Sequence, residues 1–169
     1  MGPADLDLVE TWLHDPQVAR WFLTGSTIEV EVEELRQCVT GDEPTEALIV
    51  AEDQEPIGWC QWYVCREYPD HAVQIGARPD DIGIDYAIGD PTRRNRGVGT
   101  ALIAELVTHI RRRHPRSGII ADPEATNAAS RKVLEKNGFE LLGVRAVASE
   151  QTDAPMAIYR LRPKGGLRL

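Results

Sequence analysis

An α+β domain with a central, mixed, mostly antiparallel sheet flanked by helices is the fold class this sequence predicts. Three observations predict it. Apolar residues repeat at helical spacing in some segments and alternate in others, so both periods occur in one chain. Two pairs of alternating segments are joined by polar turns, at 47–66 and 140–162, as antiparallel hairpins are. Between the pairs lies a strand-like run, then a basic glycine-containing stretch, then an apolar run at helical spacing. The order α α β β β α β α β β mixes the two element types in a way that suits helices packed on the faces of one sheet.

Each element has its own local signal. Leu6 to Leu13 places apolar residues at 6, 8, 9, 12 and 13, a short helix. Trp21 and Phe22 follow in a turn region. Ser26 or Thr27 caps a second helix to about Val39, with Glu29, Glu31 and Glu33 near its positive end. Ala47 to Glu52 reads as a strand, Asp53-Gln54-Glu55-Pro56 as a turn, and Ile57 to Arg66 as the return strand. A polar loop with Pro69 and Pro79 spans roughly 67 to 80, long enough to be functional rather than a connector. Ile82 to Ile88 alternates as a strand. Val98 to about Arg113 has one apolar face at 98, 102, 103, 106, 107 and 110, with Arg111, Arg112 and Arg113 compensating the dipole in its last turn. Ile119 to Ala121 is a short strand. Asn127 to Asn137 is a helix closed by Gly138. Glu140 to Val147 and Met156 to Arg162 are the last strands, joined by an acidic loop over Glu150 to Pro155.

Composition bounds the rest. The 169 residues fit one domain, 1–169, with a full core and a frayed tail over 163–169. No apolar run approaches the roughly 20 residues needed to span a bilayer. The start, Met-Gly-Pro-Ala-Asp-Leu-Asp, lacks the features of a signal peptide, so a cytoplasmic location is the default. Cys38, Cys60 and Cys65 are odd in number and lack zinc spacing, and the four histidines are scattered, so no metal is expected. The net charge of -8 argues against nucleic acid and membrane partners. Either it serves solubility alone or it attracts a cation such as a polyamine, a basic peptide or an aminosugar.

Against that acidic background, residues 92 to 105 read Thr-Arg-Arg-Asn-Arg-Gly-Val-Gly-Thr-Ala-Leu-Ile-Ala-Glu. Arg93, Arg94 and Arg96 crowd a strand-to-helix loop with Gly97 and Gly99. A helix N-terminus offers unpaired N–H groups and about half a positive charge, and glycines let a ligand approach the backbone. Phosphate suits such a site best. The full dinucleotide fingerprint and the nucleotide-triphosphate lysine are both absent.

What remains, Arg94-x-x-Gly97-x-Gly99 after a strand and before a helix, resembles the first coenzyme motif of the GNAT acyltransferase superfamily. Asn127 through Gly138-Phe139 resembles that superfamily's asparagine-containing helix and Lys-x-Gly-Phe turn. The two together cover roughly residues 82 to 147. Further pieces are similar to the aminoglycoside 6'-N-acetyltransferases: Asp5-Leu6 through Trp12-Leu13, Glu55-Pro56-Ile57-Gly58, Gly83-Ile84-Asp85, Arg96-Gly97-Val98-Gly99-Thr100, Asp122-Pro123 and Glu135-Lys136-Asn137-Gly138-Phe139. Related lysine and siderophore acyltransferases share several of them.

The resemblance implies acetyl-CoA as co-substrate, with its pyrophosphate on the amides of Arg94, Asn95, Arg96, Gly97, Val98, Gly99 and Thr100. Arg93, Asn127, Ser130 and Arg131 join the coenzyme site, and the pantetheine arm runs along Tyr86, Ala87 and Ile88. It also assigns Asp85 as the catalytic base. The residues support this independently: strand alternation puts Asp85 with Gly83 and Ala87, opposite Ile82, Ile84, Tyr86 and Ile88. A mid-strand carboxylate is costly unless wet or partnered. A substrate ammonium is such a partner, and its proton must leave before the nitrogen attacks. A structural carboxylate that caps a turn or pairs an arginine is the alternative.

Trp21, Asp70, Asp85 and Asp122 are the candidate substrate-binding residues. Asp80, Asp81, Glu150 and Asp153 can add negative potential, or serve as surface charges. Two departures from the family pattern stand out. Leu134 occupies the place of the tyrosine that often protonates the leaving thiolate, so solvent or another group does this, which a thiol pKa of about 8.5 permits. The first strand of the family is missing, replaced or outside this sequence, which leaves a sheet edge open.

The expected activity is acetyl transfer to a primary amine, foremost the 6'-amine of an aminoglycoside antibiotic, which would confer resistance by removing a charge. The alternatives are an acyltransferase for a lysine, siderophore-precursor or polyamine amine, and a coenzyme A-binding regulatory domain without turnover. The partners are then acetyl-CoA and a small cationic amine, with the protein a monomer or homodimer.

Overall fold

In the computed structural model, which describes residues 1–148, 153–163 and 165, six strands form one sheet in the order β1-β2-β3-β4-β6-β5. They are β1 (Glu46–Glu52), β2 (Glu55–Val64), β3 (Ile82–Ile88), β4 (Ile119–Ala121), β5 (Glu140–Arg145) and β6 (Met156–Leu161). Every neighbouring pair is antiparallel except β3 and β4. The helices are α1 (Leu6–Leu13), α2 (Pro16–Phe22), α3 (Ile28–Thr40), α4 (Pro69–Ile75), α5 (Val98–Arg113) and α6 (Ala128–Lys136). This is the GNAT fold: an open, mostly antiparallel sheet with helices on both faces.

Alternation along β3 divides the core. Ile82 and Ile84 join Leu102, Ile103, Leu106, Ile110, Leu134 and Phe139 beneath α5 and α6. On the other face Ala87 packs with Trp59 and the apolar sides of α1 to α3. A third cluster, with Ala72 and Ile75 of α4 against Ile120 and Ile158, covers the sheet farther along that same face. Between the second and third clusters the face of β3 that carries Asp85 is left uncovered.

Two expected non-helical segments are helical. Trp21 and Phe22 end α2 rather than lying in a turn, because Asp15 caps that helix by accepting from the Gln17 amide and Pro16 opens it. The polar loop 67–80 contains α4, begun by Pro69 and closed by Gly76 in the left-handed conformation (φ 70°). Among the described residues no strand precedes α1, and β1 is an edge strand whose Ala47 carbonyl accepts from the Met1 amine at 3.1 Å. The expected frayed tail and Glu150 fall largely outside the described residues.

Candidate active site

The site begins where two strands part. β3 pairs with β2 along its whole length but with β4 only through Ile82–Ile119 and Gly83–Ile120. Beyond Gly83, among the described residues, the edge of β3 that faces β4 has no protein strand against it. Tyr86, Ala87 and Ile88 lie along this opening, and an extended ligand can pair with backbone there as an added strand. Tyr86 points to the α5–α6 side as alternation requires, where its hydroxyl lies 2.7 Å from Ser130 Oγ. Burial pushes this phenol up to about 12, so it stays a neutral donor at any physiological pH.

The opening leads to the N-terminus of α5. Gly97 precedes the helix with φ 83°, a conformation that costs other residues, and no side chain caps the first turn. Asn95 is also left-handed (φ 61°). The first-turn amides of α5 are thus left without a side-chain cap among the described residues. Gly99 also governs packing: a Cβ there would meet Val133 Cγ2 at 3.2 Å, so it sets how closely α5 approaches α6.

The arginines divide their work. Arg94 is mostly buried and donates to Asp15, to Ile88 O at 3.1 Å and to Gly89 O at 2.9 Å. Its hydrogen bond holds the Asp15 carboxyl below the usual range. Arg93 pairs with Glu52 and Asp90. Arg96 is exposed, with its charge turned to solvent.

The segment after β4 locks against this loop. Asn127 Oδ1 caps α6 by accepting from the Ser130 amide at 3.1 Å. Arg131 donates to Ala125 O and to the Tyr159 hydroxyl. Asn137 donates to Thr100 O at 3.1 Å, which ties the end of α6 to the first turn of α5. Leu134 is fully buried among the apolar side chains beneath the sheet. The place of the absent tyrosine is therefore core.

On the other face of β3 the uncovered gap is a cleft with two lobes, of about 440 Å³ and about 360 Å³. Phe22, Glu31, Glu34, Gln61 and Asp85 line both, so Asp85 stands where the lobes meet. Gln61, its cross-strand partner on β2, donates to Asp85 Oδ2 at 3.4 Å. The walls also carry Glu43 in one lobe and Asp122 and Glu124 in the other, and among the described residues no lysine or arginine lines either. Glu34 is pushed up, first by partial burial and then by repulsion from Glu43. A bound cation would relieve a carboxylate raised in this way.

The acetyltransferase (GNAT) domain family matches the chain over residues 2–146. The chain belongs to the GNAT acetyltransferase family. Among curated relatives, the aminoglycoside N(6')-acetyltransferase type 1 of Klebsiella pneumoniae is 27% identical over 146 residues, covering 85% of this chain and 73% of that one. The lysine N-acyltransferase MbtK of Mycobacterium tuberculosis is 35% identical over 86 residues, half of this chain and 39% of the relative. Among solved structures, the aminoglycoside acetyltransferase AAC(6')-Ib in complex with coenzyme A and kanamycin superposes with a TM-score of 0.80 at 26% identity, covering 96% of this chain and 91% of that one. The same enzyme with paromomycin and acetyl-CoA gives 0.81 at the same identity and share of this chain.

Within this GNAT frame the expected residues separate. Trp21, Asp85 and Asp122 come together in the cleft with Tyr86, Asn127 and Ser130. Asp70 does not; it is exposed on α4, outside both lobes, and its neighbour His71 lines the cleft instead. Asp80 and Asp81 are spent elsewhere, on Arg66 at 2.8 Å and on Arg160 at 2.7 Å, and Asp153 is exposed outside the cleft. The carboxylates of Glu34 and Glu43, and His71, had no sequence signal, because α3, the α3–β1 turn and α4 meet only in the folded chain. Burial pushes the Cys60 and Cys65 thiols up to about 12 and raises Cys38 as well, which disfavours the thiolate form of each.

Proposed function

We propose that this GNAT domain transfers acetyl from acetyl-CoA directly to a primary amine of a polycationic small molecule, foremost the 6'-amine of an aminoglycoside. The observation that carries the reading is the position of Asp85. It projects from the strand whose edge opens toward the α5 loop, and it stands at the meeting point of two acidic lobes.

The pyrophosphate of the coenzyme rests on the uncapped amides at the start of α5, with Arg96 as the available charge. The pantetheine arm lies along Tyr86 to Ile88, and a backbone N–H there polarises the acetyl carbonyl. Asp85 holds the acceptor ammonium and receives its proton, directly or through a water. The freed nitrogen attacks the carbonyl, the C–N bond forms and the C–S bond breaks with its electron pair on sulfur. The acetyl group passes directly from donor to acceptor in a ternary complex.

A substrate panel tests this by following thiol release. Amines of the kanamycin type should release thiol and yield a 6'-acetylated product. Because a lysine N-acyltransferase is among the relatives, lysine derivatives and polyamines belong in the panel. Release with lysine derivatives and none with 6'-amine antibiotics would move the acceptor to the second class. Binding of coenzyme A with no release from any amine would leave only a regulatory role.

A further inference from the structure

His71 is isolated in the sequence and absent from the coenzyme motifs. The fold gives it a partner and a place. Ala72 and Ile75 anchor α4 in the third apolar cluster, and His71 comes to line the lobe that ends at Asp85. Its Nε2 lies 3.3 Å from Asp122 Oδ2, with the two side chains only 16% and 9% exposed. That carboxylate oxygen is buried and has no hydrogen-bond partner among the described residues, so the imidazole at ion-pair distance is the group placed to satisfy it. Asp122 directly follows β4 and lines the second lobe, as Asp85 does. An imidazole and its carboxylate thus line the same two-lobed cleft as Asp85.

We propose that His71 and Asp122 form the proton relay of this site: His71 takes up the proton that the acceptor ammonium sheds at Asp85 and passes it to solvent, and Asp122 orients and charges the imidazole. The inference rests on the reading of Asp85 as the acceptor anchor. The chemistry asks for such a group. In forming the amide the ammonium nitrogen loses two protons. One ends on the departing thiolate, and one must leave the cleft. A carboxylate with an ordinary pKa near 4 binds an ammonium well but cannot retain its proton at neutral pH. An imidazole, near 6.5 when unperturbed, is much better matched. A carboxylate at one ring nitrogen also fixes the tautomer and raises basicity.

The neighbours reinforce the direction. Asp85 of β3, Glu31 and Glu34 of α3, and Glu43 after α3 line the lobe with His71. Glu124 lines the adjoining lobe beside Asp122. Tyr63 of β2 and Tyr68 ahead of α4 are the phenols of the wall, and burial pushes Tyr68 up to about 12. These carboxylates all favour the imidazolium. Asp122 is then a partner of His71 first, and a substrate ligand only through it.

The relay predicts an activity that rises with pH through the imidazole titration, because only neutral His71 can accept a proton. His71→Gln should lower kcat at neutral pH by about tenfold or more and remove that limb of the profile. Asp122→Asn should move the limb to lower pH. An unchanged kcat and an unchanged limb in His71→Gln would overturn the proposal. Imidazole titration by NMR in the substrate-free protein supplies a test independent of turnover. One imidazole of the wild type should titrate above about 6.5 and fall in Asp122→Asn. If no imidazole titrates above that value, or if Asp122→Asn shifts none, the relay is wrong whatever the acceptor proves to be. Because this arm needs no substrate, failure of the aminoglycoside reading and failure of the relay are separately visible.

Discussion

The two sides of this site are built on different plans. The side read as the donor site is backbone: an unpaired stretch of β3, a left-handed glycine and the first turn of α5, clamped by α6 through Asn137 and Thr100. Its pieces are near one another in sequence. The side read as the acceptor site is made of side chains, brought by α2, α3, α4, β2, β3 and the segment after β4 from distant parts of the chain. A donor common to a whole family can be held by main-chain groups that tolerate side-chain change. An acceptor is chosen by charges placed one at a time. The difference explains why the first plan is visible as a motif and the second is not.

Substitutions on the two sides should therefore have separable effects. The largest belongs to Asp85, where the sides meet. Asp85→Asn should lower kcat for acetyl transfer by about 10²-fold or more while the KM for acetyl-CoA holds. Steady-state kinetics with both substrates varied reads this, and a wild-type kcat would remove Asp85 from the chemistry. Next is Gly99→Leu. The added side chain collides with Val133 and should push α5 from α6, at about 1–3 kcal/mol of stability. It should also raise the KM for acetyl-CoA roughly tenfold, the equivalent of one lost charge-assisted contact, with the acceptor KM little changed.

A smaller effect is expected at Arg96, whose exposed charge is screened by salt. Arg96→Ala should weaken acetyl-CoA by about two- to fivefold at low ionic strength and by less at high salt. Glu34 should show opposite signs in two assays. Its folded pKa lies above the ordinary 4.5, so the folded state binds more protons than the unfolded one in the window just above that value. Stability therefore falls as pH rises through the window and stays lower at neutral pH. Glu34→Gln should give a small rise in Tm at pH 7 and none at pH 3, together with a higher KM for a polycationic acceptor. A fall in Tm at pH 7 would mean that Glu34 is satisfied rather than strained.

Most of the sheet and both helices of the coenzyme motifs were legible, because long amphipathic runs such as Val98–Arg113 and alternating runs such as Ile82–Ile88 leave little choice of period. The two short helices were not, although each carries a readable signal. Asp15-Pro16 is a cap followed by a first-turn proline, and Pro69 with Gly76 is the start and stop of a seven-residue helix. At that length the apolar period has no room to repeat. Asp85 was legible because alternation fixes which way it points. The division among Arg93, Arg94 and Arg96 was not, since it depends on Asp15 and Glu52, which are distant in sequence. His71 had no local signal, and its meaning comes from Asp122 across the cleft.

The central claim is that Asp85 belongs to the acceptor and the α5 loop to the donor. Calorimetric titration of wild type and Asp85→Asn with coenzyme A and with a 6'-amine aminoglycoside tests it most directly. The account predicts coenzyme A binding unchanged by the substitution and aminoglycoside binding weakened at least severalfold, on the scale of one charged contact. Weakened coenzyme A binding with the aminoglycoside unaffected would contradict it.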